Sequence, residues 1–169
     1  LHHIERVVDS LYNHHFNTTS LMLADLIAQD NLFDLYHEIA NFFQEHNFSL
    51  YAKSWESIAA ILLEFIKHSY PEYTKLATDC LRWDWFVKSN NKWVPPFIRN
   101  SSNPNTIKEM IIQQNRISKQ ELSLNKTIVS INDIQRSQIF IAESDHFMQW
   151  RMNNHHYAVK INGSILLID

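Results

Sequence analysis

Apolar residues recur three and four positions apart through the first half of the chain, which is the spacing of amphipathic helices. The clearest stripe lies between Leu32 and Phe43. Ser54 stands where an N-cap is expected, and Pro71 suits the first position of a later helix. About five helices are therefore predicted: Ile4–His15, a short helix through Ile27 that Thr18–Ser20 can cap, Leu32–Phe43, Trp55–Phe65 and a helix that starts at Pro71.

The last of these five helices is predicted to be the most buried. One face carries mainly apolar residues together with one carboxylate: Tyr73, Leu76, Ala77, Cys80, Asp84 and Val87. Leu81, Trp85 and Phe86 widen this face until the helix is apolar nearly all round. Because such a helix must be buried, we expect it to form the spine of the helical part, with Cys80 as a small buried hydrophobic residue.

The second part of the chain changes its pattern. A linker rich in Ser, Asn and Pro is predicted over residues 89–105, and Thr106 with Glu109 has capping-box spacing ahead of one more helix. Asn162-Gly163, between two strand-like runs, predicts a two-residue hairpin turn. The predicted strands are Thr127–Ile131, Gln138–Ala142, Phe147–Met152, Tyr157–Ile161 and Ser164–Ile168.

The predicted fold class is α+β with segregated elements. A helical subdomain is expected over residues 1–98, and a helix plus an antiparallel β-meander over residues 99–169. A chain of 169 residues suits one domain or two small subdomains that share a core.

Composition removes several classes of function. A formal net charge of −3 gives no basic footprint for nucleic acid, and no segment is long and apolar enough to cross a membrane. The scattered basic residues Lys108, Arg116, Lys119 and Lys126 are therefore predicted to form a solvated face. The single glycine excludes a glycine-rich phosphate loop, and the single cysteine excludes an iron–sulfur cluster held by this chain alone. The start is neither a signal peptide nor an initiator methionine, so we expect a cytoplasmic protein and a chain that is part of a larger one.

Ten histidines raise the hypothesis of a metal site. Neighbouring residues point to different faces, so the adjacent pairs are poorly placed to close on one ion. Residues that could converge across a hairpin are Glu143, Asp145, His146, His155 and His156. We expect these residues at the surface or at the edge of the core, with a small histidine-based metal site as the alternative.

Asp84 and its neighbours form the candidate cluster. A carboxylate on an apolar stripe needs a partner, and two interpretations stay open: an ion pair or helix-cap bond, or a carboxylate that faces a cavity with a shifted pKa. Arg82 lies on roughly the opposite side of the helix and is a poor partner for Asp84. Trp83, Trp85 and Trp93, with Phe86 and Phe97, are expected in the core, and a ligand-stacking platform is the alternative.

The order of elements resembles that of a known domain. The residues that carry the resemblance are a helix beginning at His3-Ile4-Glu5-Arg6-Val7-Val8, the aromatic-rich helix Phe33–Phe43, Leu62–Phe65, Leu81-Arg82-Trp83-Asp84-Trp85 and the exit at Pro95-Pro96. This series is similar to the uncharacterised C-terminal domain that follows the barrel in cobalamin-binding radical S-adenosylmethionine proteins. It covers residues 1 to about 100, and the β-rich tail only loosely.

The resemblance implies an accessory domain that packs beside the barrel of the same polypeptide and shapes substrate access. In such proteins the chemistry belongs to a Cys-x3-Cys-x2-Cys loop and a cobalamin domain, both N-terminal to this region. The iron–sulfur cluster, S-adenosylmethionine and cobalamin are thus implied for a parent protein only. No catalytic, cofactor-binding or metal-binding residue is carried over, and the chain alone is expected not to be an enzyme.

Two alternatives of other classes remain open. One is a protein–protein interaction module that uses the edge of the β-meander or the segment 89–105. The other is a small self-sufficient hydrolase or metal-binding domain built from the histidines. A three-cysteine cluster motif upstream of Leu1 would favour the accessory-domain hypothesis over both.

Overall fold

The computed structural model describes residues 2–49, 51 and 53–169. The chain divides into two compact units, the first made of Leu1–Lys88 with Pro95–Ile98 and the second of Ser89–Val94 with Arg99–Asp169. The first unit is helical, and the second combines helices with two small antiparallel sheets. The predicted α+β class is confirmed. Within the described residues, no helix combines the length and the apolar character that a membrane span requires.

The helices of the first unit follow the predicted series. Their bounds are α1 (His2–Asn13), α2 (Asn17–Met22), α3 (Leu32–Glu45), α4 (Trp55–Ser69) and α5 (Thr74–Lys88). A π-helical segment, Leu23–Ile27, continues α2, and a 3₁₀ turn, Pro71–Tyr73, precedes α5. The N-cap predicted at Ser54 is confirmed, because the Ser54 hydroxyl accepts a hydrogen bond from the Ser57 backbone nitrogen.

The start of α2 differs from the prediction. Thr18–Ser20 do not cap it, because α2 begins at Asn17 and the preceding Phe16 makes no side-chain cap bond. Both Thr18 and Thr19 are buried, and their backbone groups are satisfied from a distant helix instead.

Helix α5 is buried on most of its surface, as predicted. Nine of its residues are buried, and Cys80 and Leu81 are fully so. Val87 was expected on the buried face but is 46% exposed. Val87 lies next to the exposed Lys88 at the end of α5, where the apolar stripe no longer governs burial.

The second unit begins its regular structure earlier than predicted. Helix α6 starts at Pro104, and the Asn103 side chain caps it by accepting from the Asn105 nitrogen at 2.9 Å. The capping box predicted at Thr106 and Glu109 is therefore wrong. An asparagine cap followed by proline at the first helical position outweighs the later Thr-x-x-Glu spacing.

Two antiparallel sheets follow α6, one of order β1–β2 and one of order β3–β4–β5. The elements are α6 (Pro104–Asn115), β1 (Glu121–Leu124), β2 (Thr127–Ser130), α7 (Ile131–Arg136), β3 (Gln138–Ile141), α8 (Asp145–Arg151), β4 (Tyr157–Ile161) and β5 (Ser164–Ile168).

One predicted strand is a helix. Phe147–Met152 falls mostly in α8, which Ser144 caps by accepting a hydrogen bond from the Phe147 nitrogen. A short aromatic run fits a strand and a helix equally well, and the serine cap with Asp145 in the first turn decides for the helix.

The predicted Asn162-Gly163 hairpin turn is confirmed. Both residues have positive φ, 50° and 83°, and Ile161 pairs with Ser164 on either side. A second such turn joins β1 to β2 through Asn125 and Lys126, with φ of 46° and 68°. It contains no glycine and was not predicted.

One cluster of buried apolar residues in the second unit joins α6, α7 and the two sheets. It consists of Ile111, Leu122, Leu124, Ile134, Val159 and Ile168. Lys108, predicted on a solvated face, is instead buried, and its Nζ donates to the Gln135 and Ser137 carbonyls at 3.0 and 2.7 Å. Burial, and then the nearby Lys92, lowers the pKa of Lys108. The other basic residues of the predicted face, Arg116, Lys119 and Lys126, are exposed.

Candidate functional site

Asp84 caps a helix that lies 65 residues earlier in the chain. Its Oδ1 accepts from the Thr18 backbone nitrogen at 2.8 Å. Its Oδ2 accepts from the Thr19 backbone nitrogen at 2.9 Å and from Thr19 Oγ1 at 2.7 Å. Asp84 is 4% exposed, so α5 supplies the cap that α2 lacks locally. Of the two interpretations that the sequence left open, the geometry matches the helix-cap bond.

The electrostatics of Asp84 combine opposing effects. Burial raises the pKa of Asp84 above its ordinary value of 3.8, while the hydrogen bonds from Thr19 and then Thr18 lower it, and the net direction is upward. Both oxygens already accept hydrogen bonds from main-chain donors of α2. Asp84 therefore acts as a buried hydrogen-bond acceptor that joins α2 to α5.

Arg82 has a different partner from Asp84. Its Nη1 lies 2.5 Å from Asp79 Oδ1, and its Nε donates to the Ile98 carbonyl at 2.6 Å. The side chains are almost fully buried, with Arg82 4% and Asp79 0% exposed. The expectation that Arg82 is a poor partner for Asp84 agrees with this geometry. Asp79 itself was not singled out from the sequence, although its three-residue spacing from Arg82 was a usable signal.

The aromatic residues near Asp84 pack in layers. The Phe16 and Trp55 rings are stacked at 5.1 Å with 9° between their planes, and the Trp55 and Trp85 rings lie 5.2 Å apart. Lys88 Nζ lies 5.6 Å from the Trp85 ring centroid and 6.0 Å from that of Trp55. Trp85 is 8% exposed, so it belongs to the core of the first unit as predicted.

The remaining aromatic residues of the candidate cluster differ in exposure. Trp83 is half-buried, and its ring centroid lies 5.5 Å from that of the buried Phe86. Trp93 belongs to the second unit and is 46% exposed, so placing it in the core was wrong. Arg82, Trp83, Asp84 and Trp85 lie together on α5.

The histidines proposed as metal ligands have other contacts. His155 Nδ1 lies 2.6 Å from Asp169 Oδ1, and the His156 ring packs against Tyr157. Glu143 accepts from Asn100 Nδ2 at 3.0 Å. In the part of the chain that the structure describes, no three histidine, cysteine or acidic side chains are grouped so as to hold a metal ion.

A cavity of about 290 Å³ lies between α1 and the C-terminal end of α3. It is lined by His3, Arg6, Val7, Ala40, Phe43, Gln44, Asn47, Phe48 and Ser49. Its polar lining is made of His3, Arg6, Gln44, Asn47 and Ser49, and its apolar lining contains the edge-to-face pair Phe43 and Phe48. Asn47, at φ 53°, turns the chain so that the Phe48 nitrogen can donate to the Phe43 carbonyl. Sequence reasoning missed this cavity, because its residues lie more than thirty positions apart.

Comparison with known proteins gives one relationship. Searches of curated proteins and of solved structures found no match. Residues 1–161, which include both units almost entirely, match a family described as a protein of unknown function (DUF4080). The chain therefore belongs to the DUF4080 family of uncharacterised domains.

Proposed function

We propose that this chain is a non-catalytic accessory domain that stands C-terminal to a radical S-adenosylmethionine barrel, where it shapes substrate access or packs against the barrel. The resemblance of the segment around Leu81-Arg82-Trp83-Asp84-Trp85 to the corresponding domain of such proteins supports this proposal. The natural partner is then the barrel of the same polypeptide.

The non-catalytic role is supported by the contacts that the charged residues of that segment make within the helical unit. Asp84 is engaged by main-chain groups of α2, and Arg82 by Asp79 and the Ile98 carbonyl. All three charged side chains are at most 4% exposed. A catalytic group must reach its substrate, whereas these groups join elements of the helical unit.

The cofactors of the proposed parent protein do not fit the residues of this chain. An iron–sulfur cluster needs several cysteine thiolates, and the single cysteine, Cys80, is fully buried. We therefore place the cluster, S-adenosylmethionine and cobalamin in other domains of the parent protein and assign none of their chemistry to these residues.

The alternative partner-binding role through the β-meander has less support. The edge strands of the three-stranded sheet are β3 and β5. The side-chain amide of Asn125 already donates to the Leu167 carbonyl on β5. A peptide that added to that edge would have to displace this bond.

The test uses the complete natural polypeptide. Its coding sequence should contain a Cys-x3-Cys-x2-Cys motif upstream of Leu1. The purified, iron-reconstituted protein should bind one cluster at that motif and cleave S-adenosylmethionine. Replacing the upstream cysteines should abolish the cluster absorbance, whereas the matched variant Cys80→Ala should retain it. Absence of the upstream motif, or loss of the cluster in Cys80→Ala, would refute the proposal.

A further inference from the structure

The charge of the chain is unevenly distributed along its length. Residues 1–52 contain seven carboxylates and one arginine, a formal net charge of −6, while the whole chain carries −3. The rest of the chain is therefore net positive. All seven acidic residues are exposed: Glu5, Asp9, Asp25, Asp30, Asp34, Glu38 and Glu45. The surface of α1 to α3 is thus acidic, and such asymmetry favours a partner of opposite charge.

An apolar groove of about 400 Å³ opens on this acidic surface. It lies between α1 and the N-terminal end of α3. Its lining, named here the α1–α3 groove, consists of Ile4, Glu5, Val8, Asp9, Tyr12 and Phe33. Two residues of this lining are large and exposed aromatic side chains, Tyr12 at 65% exposure and Phe33 at 57%. Exposed aromatic side chains that line one groove are typical of a protein-binding surface.

The acidic and apolar residues of the groove lie in two adjacent rows along α1. Glu5 and Asp9 are four positions apart, so they occupy the same helix face one turn from each other. Ile4, Val8 and Tyr12 have the same spacing and form the neighbouring row. Both carboxylates already have an interaction within the chain, and Asp9 accepts a hydrogen bond from Asn13 Nδ2. A carboxylate nevertheless has further acceptor positions for a cation.

We propose that the α1–α3 groove binds a basic amphipathic segment of a partner protein. Apolar side chains of that segment lie between Tyr12 and Phe33, while lysine or arginine residues one turn apart contact Glu5 and Asp9. The acidic surface selects this partner, because anionic lipid and nucleic acid are repelled. This inference does not depend on the barrel proposal, because it is argued from the exposed residues and charges of α1 and α3 and is tested on this chain alone.

The first test measures binding of designed peptides to the full chain. The probe is a fluorescent amphipathic helix of leucine and lysine about 14 residues long, which spans the groove. The reference peptide has glutamate in place of each lysine. Fluorescence anisotropy should detect the lysine peptide and not the glutamate peptide, and binding should weaken as NaCl is raised. Equal binding of both peptides would overturn the proposal.

The second test locates the binding. Phe33→Ser should weaken binding of the lysine peptide by about tenfold, since aromatic anchors dominate such interfaces, and Asp9→Asn by about threefold. Matched controls are Tyr51→Ser, at an aromatic residue that is 83% exposed, and Asp25→Asn, at an exposed carboxylate. Neither control residue lines the groove. Circular dichroism verifies that each variant is folded.

The controls make the result decisive. Weakening confined to Phe33→Ser and Asp9→Asn supports the groove. Equal weakening in Tyr51→Ser and Asp25→Asn means diffuse attraction to an acidic surface and overturns the proposal, as does unchanged binding in the groove variants. Sedimentation velocity addresses self-association. A dimer that Phe33→Ser dissociates would make a second copy of the chain the occupant, and would also overturn it.

Discussion

Asp84 and Thr19 are joined by two hydrogen bonds to one carboxylate oxygen, from the Thr19 nitrogen at 2.9 Å and from its hydroxyl at 2.7 Å. The helix that contains Thr19 has no side-chain cap of its own. A residue of α5 therefore completes the start of α2, and the two helices depend on each other for their polar groups.

Replacing Asp84 by alanine should destabilise the protein by about 2–4 kcal/mol, because it leaves buried donors of Thr18 and Thr19 without an acceptor. Urea denaturation measures the change in the free energy of unfolding. Asp84→Asn is the matched control, since its amide oxygen can still accept and the loss should be smaller. A melting temperature of Asp84→Ala within a degree or two of that of the unmutated chain would contradict the cap.

The free energy of unfolding of the unmutated chain should fall relative to that of Asp84→Asn as the pH rises. Because burial raises the pKa of Asp84 in the folded state, the folded protein binds this proton more tightly than the unfolded chain does. The contribution of Asp84 is thus complete below pH 3.8 and decreases as the pH rises through the folded-state pKa. Urea unfolding of both proteins across this range provides the comparison. If the unmutated chain instead became more stable relative to Asp84→Asn as the pH rose, the pKa of Asp84 would be lowered and the prediction would be wrong.

The Asp79–Arg82 pair should show strong energetic coupling. Asp79→Ala alone should cost about 3–5 kcal/mol, because it leaves the buried Arg82 cation without its counter-charge. The double variant Asp79→Ala/Arg82→Met should lose less than the sum of the two single variants. A double-mutant cycle by denaturant unfolding measures this coupling. Strict additivity would mean that the two side chains do not interact in solution.

Tyr70 should ionise later than an ordinary tyrosine. Burial, followed by the hydrogen bond that its phenol donates to Glu38 Oε2 at 2.7 Å, raises the pKa of Tyr70 to about 12. Its stabilising contribution is complete below pH 10.0 and is lost as the pH rises toward about 12. Near-ultraviolet absorbance titrations of the unmutated chain and of Tyr70→Phe should differ by the ionisation of one phenol near pH 12. Glu38→Gln should move that step to lower pH, and an unchanged titration curve would disprove the contact.

Sequence reasoning succeeded where a local pattern decides the structure. The hairpin at Asn162-Gly163 and the cap at Ser54 each depend on a few adjacent residues. The burial of Asp84 followed from the apolar stripe around it, but its partner Thr19 could not be inferred, because the contact joins segments far apart in sequence. Phe147–Met152 failed because short aromatic runs do not distinguish the two periodicities. The α1–α3 groove was missed because it forms only when two helices come together.

The order in which the chain visits its two units limits how it can be divided. Residues 89–94 belong to the second unit, and the chain then returns to the first for Pro95–Ile98. A cut after Lys88 removes the Ile98 carbonyl that Arg82 contacts. A cut after Ile98 removes the Ser89 carbonyl that accepts from Lys160 Nζ. No single cleavage therefore leaves both units complete, so a fragment that keeps all of either unit must also carry part of the other.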